Sequence, residues 1–395
     1  MLVKADVCVV GGGPAGLVLA LLLGRRGIDT VVLEKHETFL RDFRGDTVHP
    51  STLQLMDELG LGEELAQLPH RIVRDFRISY EGGGTFHPAD FNRLNVPHPY
   101  VMMLPQWDFL ELLARHGDFA LYRRCEVTAV NRRDRRVVGV TAQTPQGPVE
   151  VAAPLTVACD GRHSTVRREL GLRSKDFGAP IDVLWFRLPR SPGDPEGLAG
   201  QVGDGRLFIG IDRGEYWQLG WVVPKGGDER IRAAGLSEFR AGIAASIPWL
   251  ADRVGELHSW DDVHTLTVRM DRLYRWSVPG ALLIGDAAHA MSPVGGVGIN
   301  LAIQDAVAAA RVIGAAFDQG RPPTDRELAA VQRRRALPTA GTQLVQRAMQ
   351  RGVLFPAVTG RPSRPPLPVR LLDRYPPLRT LPARVIGVGI RPEHV

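Results

Sequence analysis

Three carboxylates close three apolar runs in this chain: Glu34 ends TVVLE, Asp160 ends LTVACD, and Asp286 follows LLIG. Ligands of open α/β sheets bind outside the carboxyl ends of the strands, so acids placed there can accept hydrogen bonds from ligand hydroxyls. Glycines accompany each acid. Gly11, Gly13 and Gly16 form G-x-G-x-x-G directly after the apolar run Val7 to Val10, and Pro14 and Ala15 open the helical run that follows. The spacing allows a tight turn, a close backbone approach to a pyrophosphate, and a helix start whose N–H groups face the phosphates. Glu34 follows at the distance, about 20 residues, expected of the acid that binds an adenosine ribose, and it disfavours a 2′-phosphate there. Residues 5 to 34 therefore read as a dinucleotide-binding strand–helix–strand unit.

Asp160-Gly161 alone is an ordinary turn dipeptide, but Ser164 behind it is a good N-cap for a helix over Thr165 to Leu170. In the third segment Gly285-Asp286 is followed by Pro293, Gly295, Gly296, Gly298 and Asn300, then by an alanine-rich stretch that reads as a helix. Three strand ends far apart in sequence are thus expected to meet along one elongated ligand. The ordered set of G-x-G-x-x-G, Asp160-Gly161 and Gly285-Asp286 resembles the class A flavoprotein monooxygenases, the family of para-hydroxybenzoate hydroxylase.

That resemblance implies FAD. It would lay the pyrophosphate on Gly11, Gly13, Pro14, Ala15 and Gly16, and the adenosine ribose on Glu34 with its neighbour Lys35. Asp160 and Gly161 would lie along the ligand, Gly285 and Asp286 at the ribityl chain, and Gly296, Gly298, Ile299 and Asn300 at the pyrimidine end of the flavin. Arg44 and Gln106 resemble two further FAD-binding arms. A helix starting near Gly298 would aim its positive dipole end at a reduced, anionic flavin. The resemblance further implies that NADPH or NADH reduces the flavin and that O2 reacts at flavin carbon 4a. The distal oxygen of the hydroperoxide then passes to an aromatic or polyketide-like small molecule. A single dinucleotide fingerprint makes the nicotinamide a transient co-substrate. Pro293 would stand beside the reacting flavin edge, and His49 is a candidate for moving a substrate proton. Trp185, Phe208, Trp217 and Gln218 are candidates for the substrate wall, whereas His289 reads as structural.

These residues need a scaffold of class α/β. We expect a Rossmann-like FAD-binding domain with a parallel sheet over 1–72, 100–178 and 272–330. An inserted substrate domain with a mixed or antiparallel sheet would occupy 73–99 and 179–271, and a C-terminal helical extension 331–395. Within the insertion, alternation places Leu207, Ile209 and Ile211 on one sheet face and Phe208 on the other.

Composition narrows the function further. The 395 residues are 44% hydrophobic with a net charge of +6, and Lys4, Lys35, Lys175 and Lys225 are the only lysines among 49 basic side chains. The arginines are dispersed rather than clustered among aromatics, which argues against nucleic acid as partner. Cys8, Cys125 and Cys159 form no Cys-x-x-Cys pair and suit a reducing, cytoplasmic setting. Neither an export signal nor a transmembrane helix is expected, and the basic tail is expected to cover the protein rather than touch a membrane. The state expected is a monomer or homodimer. Alternatives on the same scaffold are a flavin-dependent reductase, a halogenase, or a non-catalytic flavin-dependent ligand-binding protein. The halogenase lysine beside the fingerprint and the Trp-x-Trp-x-Ile-Pro string are both missing from the sequence.

Overall fold

A computed structural model of the chain describes residues 1–40, 47–81, 84–195, 197–360 and 365–395. Arg44 lies outside them. The strand Val7–Val10 is buried along its whole length, which suits its all-apolar sequence to the middle of a parallel sheet. It pairs in parallel with Thr30–Leu33 on one side and with Leu155–Ala158 on the other, and Leu155–Ala158 pairs in turn with Ala281–Leu283. The three runs that end in the three acids thus lie in one six-stranded sheet, with Val7–Val10 between the first and the second. Hydrogen bonds across the tips keep them level: Gly11 N–H to Leu33 O at 2.8 Å, Cys159 N–H to Val10 O at 2.7 Å, and Ile284 N–H to Ala158 O at 3.1 Å.

Two helices pack beside this sheet. Pro14–Gly24 starts with proline in its first turn, where the missing N–H costs nothing, and nearly every residue of it is buried. Gly298–Phe317 begins at the glycine expected of it and runs alongside. It belongs to the one stretch among the described residues, Val294–Phe317, long and apolar enough to cross a membrane, and most of that stretch lies inside the protein. Ser164 caps Thr165–Glu169 as its type suggests, accepting from the Arg167 N–H at 2.9 Å.

The second lobe is a seven-stranded sheet that joins Asp75–Tyr80 and Gly84–Asp90 to strands between Ile181 and Leu266. Segments from both halves of the expected insertion therefore share one sheet. Two short strands, Ser174–Asp176 and Asp271–Leu273, pair where the chain leaves and re-enters the nucleotide-binding lobe. Leu207 and Ile209 share one face, and Phe208 is on the other, beneath the helices Gly227–Ala234 and Leu236–Ser246.

One expected boundary is corrected. A division at residue 330/331 cuts through the helix Asp325–Met349, whose start is fixed by a capping box between Thr324 and Glu327. A meander not foreseen from the sequence, Glu126–Arg133, Arg136–Thr144 and Gly147–Ala152, completes a four-stranded sheet with Leu2–Lys4.

Candidate functional site

The fingerprint glycines divide into two kinds. Gly11 has φ +104°, and a Cβ there would meet the Cys159 carbonyl oxygen at 2.5 Å; a Cβ on Gly16 would meet the Gly11 carbonyl oxygen at 2.0 Å. The fold itself requires both. Gly13 differs: its φ is −82°, and a Cβ would find nothing within 4 Å. No atom of the described residues demands glycine at 13, and the space lies at the N-terminus of the helix Pro14–Gly24, the kind of place where a phosphate is held.

Glu34 is buried and fixed by two backbone donors. Gly12 N–H reaches its Oε2 at 2.8 Å and His36 N–H its Oε1 at 3.0 Å. Lys35 beside it is exposed. Asp160 accepts from the Val166 N–H through Oδ2 at 3.2 Å, while its buried Oδ1 has no partner among the described residues. Burial raises the Asp160 carboxyl above its ordinary range, against hydrogen bonds from Ser164 and Val166 that pull it down. Gly161 next to it has φ +80° and open space where a Cβ would sit.

Asp286 follows Gly285, whose φ is +58° and which packs against Ala15 and Ala302, so the third tip leans directly on both helix starts. Arg162, one residue past Asp160-Gly161, comes within 3.6 Å of the Asp286 carboxylate. Sequence reasoning passed over Arg162 because nothing sets it apart from the other arginines. Behind the same turn lies a second missed group. Asp305 accepts from the Gly285 N–H at 3.1 Å, from the His289 ring at 2.5 Å and from Arg335 at 3.0 Å, all out of reach of solvent. Burial works to raise the Asp305 carboxyl, but His289 and Arg335 together hold it below the ordinary value. His289 is therefore structural, as its place in the motif suggested.

Pro293 precedes Gly295 and Gly296, at φ +78° and +64°. Thr47 Oγ1 donates to the Gly296 carbonyl at 3.0 Å, and His49 Nε2 lies 3.2 Å from the same oxygen. This fixes the tautomer, with the proton on Nε2. Burial depresses the His49 ring to about 4, the bond to Gly296 opposing, so at neutral pH it is uncharged and a weak base. The expectation that His49 moves a substrate proton is thus corrected: a general base works best near the operating pH, whereas this ring props a glycine loop. Gly298 leaves room, since a Cβ would meet only Met291 Cβ, at 3.8 Å. Ile299 packs against the main core, and Asn300 Oδ1 accepts from Ser51 Oγ and Thr52 Oγ1, both at 2.8 Å. Gln106 is the first residue of the helix Gln106–Arg115 and is half-buried. The strand before it, Val101–Met103, pairs with Thr47–Val48, which draws Gln106 toward the His49 side.

The four substrate-wall candidates do not share a wall. Phe208 and Trp217 are fully buried beneath the helical layer with Phe186, Trp221 and Phe239, and the Trp217 indole N–H is spent on Asp194 at 3.0 Å. Their assignment to a cavity is corrected, because the helices that cover that face lie elsewhere in sequence. Trp185 pairs with Gly220 and faces the other way, as does Gln218 two residues before that glycine. The Trp185 indole nitrogen is buried without a partner among the described residues, whereas Gln218 Oε1 is held by Arg213 at 2.8 Å. No group of metal-ligating side chains occurs among the described residues.

A helix start with open space before it, an acid at each of three level strand tips and a second glycine loop with room above it suit an extended dinucleotide bearing a flat ring system. They define an FAD-binding α/β protein with a sheet-built second lobe. Comparison with known proteins agrees. Residues 4–347 match the family described as FAD binding domain. The 6-methylpretetramide 4-monooxygenase of Streptomyces rimosus is 35% identical over 96% of this chain and 91% of its own length. A rifampicin monooxygenase of Streptomyces venezuelae is 32% identical over 76% of this chain and 62% of its own. The solved OxyS anhydrotetracycline hydroxylase from Streptomyces rimosus superposes with a TM-score of 0.75 at 26% identity, covering 98% of this chain and 76% of that one. The chain belongs to the FAD binding domain family and is an FAD-dependent monooxygenase.

Proposed function

We propose that this monooxygenase hydroxylates an aromatic or polyketide-like small molecule, taking electrons from NADPH or NADH as a transient visitor. The observation that carries the reading is the free space at Gly13 and Gly298, at the starts of the helices Pro14–Gly24 and Gly298–Phe317, where no neighbour among the described residues requires glycine. When bound, FAD supplies the redox chemistry and the reaction with O2; the protein binds, orients and excludes water. Gly11, Gly13, Pro14, Ala15 and Gly16 hold the pyrophosphate, and Glu34 the ribose with Lys35 beside it. Asp160 and Gly161 lie along the chain of the ligand, Asp286 and Gly285 take the ribityl hydroxyls, and Gly296 to Asn300 seat the pyrimidine edge. Gln106 remains an arm toward the same ligand, and Pro293 stands at the reacting side. Trp185 belongs to the substrate wall, with Gln218 behind it on the same face.

The substrate class is supported by relatives whose names specify 6-methylpretetramide, rifampicin and anhydrotetracycline. Free thiols at Cys8, Cys125 and Cys159 suit the cytoplasm. The test is anaerobic reduction with NADH and with NADPH, followed by air in the presence of a polycyclic phenol such as 1,8-dihydroxyanthraquinone. A product heavier by one oxygen atom is expected. Flavin that reoxidises while every such phenol is recovered unchanged overturns hydroxylation of this class.

A further inference from the structure

The two-stranded ribbon at the junction of the lobes, Ser174–Asp176 with Asp271–Leu273, is sorted by charge. In its register Lys175 stands opposite Arg272 and Asp176 opposite Asp271. Alternation sends the lysine and arginine side chains to one face and the two aspartates to the other. The acid face is matched: Arg167 donates to both oxygens of Asp271, at 3.2 and 2.8 Å, and Asp176 accepts from the Gly178 N–H at 2.8 Å. The cationic face has no such match. Like charges directly opposed destabilise a strand pair, and neither Lys175 nor Arg272 is ion-paired among the described residues.

A third cation joins them from the helix Asp325–Met349. The charged groups of Arg347, Arg272 and Lys175 lie 5.0, 5.4 and 5.6 Å from the centre of one ring, that of Phe177. A ring face attracts a cation but carries no net charge, so the repulsion among the three is left uncompensated. Arg347 too is without an ion pair among the described residues, and its Nε has no acceptor there. Burial pulls the Arg272 guanidinium below its ordinary value, whereas Arg334, paired with Glu393, is raised. The cluster is open to solvent: Lys175 and Gly178 are exposed, and Phe177, Arg272 and Arg347 are half-buried. It is also tied to the loop that leads into Pro293. Gln343 accepts from Arg272 Nη1 at 3.2 Å and donates to the carbonyls of Asp271 at 2.8 Å and Ala290 at 3.2 Å. Gln346, beside Arg347, donates to the carbonyls of Ser292 at 2.9 Å and Val294 at 2.8 Å, and accepts from the Ser292 N–H at 3.2 Å.

We propose that Lys175, Arg272 and Arg347 form an anion site at the lobe junction that takes a phosphate group. A phosphate supplies the missing negative charge, and its oxygens accept from an ammonium and from guanidinium forks alike. Two sources share that chemistry: free phosphate, and the 2′-phosphate by which NADPH differs from NADH. The site stands on the cation cluster; only the NADPH source rests on the electron donor proposed above.

The test is calorimetric titration of the FAD-loaded protein with inorganic phosphate at constant ionic strength, the bound FAD keeping phosphate from the turn at Gly13. Wild-type protein should bind phosphate saturably. Lys175→Gln should weaken that binding about tenfold, Arg347→Gln likewise, and Lys175→Arg, which keeps the charge, should not. Because Lys175→Gln removes a repulsion, its thermal midpoint without phosphate should be no lower than that of wild type, which a lysine needed for the fold would not allow. Anaerobic flavin reduction then separates the sources. A weaker apparent Kd for NADPH alone in Lys175→Gln assigns the site to the nucleotide's phosphate; equal behaviour of NADPH and NADH, with phosphate binding lost, assigns it to free phosphate. Wild-type protein that gives no saturable heat, or glutamine variants that bind phosphate as wild type does, overturn the site. If neither nucleotide reduces the flavin, the proposed electron donor is overturned, and the site stands or falls on the calorimetry.

Discussion

Gly13 and Gly16 stand three residues apart in one motif, yet they answer to different constraints. Gly16 is glycine because the Gly11 carbonyl lies 2.0 Å from where a Cβ would be; Gly13 faces open space. We expect Gly13→Val to leave the apoprotein's thermal midpoint within a few degrees of wild type and to weaken FAD binding at least about tenfold, or roughly 1.4 kcal/mol. Equilibrium dialysis with FAD and melting of the apoprotein measure the two halves separately. Gly298→Val should behave alike, because only Met291 is near. His49 yields a prediction in pH. Its ring takes up a proton near 6.5 in the unfolded chain but only at about 4 in the folded one. Between those values the unfolded chain carries the extra proton, so stability rises with pH through the window and falls on acidification, by roughly 3 kcal/mol in total. Urea midpoints at pH 4.5 and 7 should differ accordingly, and His49→Gln should remove most of the difference.

At the scale of elements, the helix Asp325–Met349 holds the loop around Pro293 by its glutamines rather than merely covering the domain. Gln346→Leu strips partners from the Ser292 and Val294 carbonyls and the Ser292 N–H. It should cost about 2–4 kcal/mol of stability, read from chemical denaturation, and broaden the visible flavin spectrum as the loop loosens. The sequence could not reveal this helix's role, because glutamines three and four apart look like a solvated helical face; only the docking of the helix shows that the face is inside. The fingerprint was legible for the opposite reason: strand, turn, helix and acid lie within 30 residues, and each imposes a local requirement. Alternation gave the phase of Phe208 against Leu207 and Ile209 correctly. It carried no information on which face the helices of 227–246 would cover, and so two core aromatics were read as cavity wall. His49 was given the wrong task, since burial, which lowers its basicity, depends on the whole fold.

Across the whole molecule, the turn that bears Asp286 is tied to a distant part of the chain. Asp305 holds the Gly285 N–H and Arg335, and Arg335 together with Arg334 and Arg311 surrounds the buried carboxylate of Glu393. Removing one partner from such a cluster strands the others' charges, so Glu393→Ala should destabilise the protein by about 3–5 kcal/mol, measured by urea unfolding. FAD affinity should fall with it, because Arg335 loses one of the anchors that hold it against Asp305. Unchanged FAD affinity in a destabilised Glu393→Ala protein would show that the cluster supports the fold alone.

Level strand tips also have a consequence in time. Val10 lies beside Ala158, and Ala158 beside Leu283, so neighbours in the central sheet are drawn from remote parts of the chain. Two long loops must close before the three acids stand in a row, and closures of that kind delay folding. The cofactor has nothing to grasp until that is done. Excess FAD should therefore leave the refolding rate of the apoprotein unchanged while slowing the rate at which the finished protein comes apart.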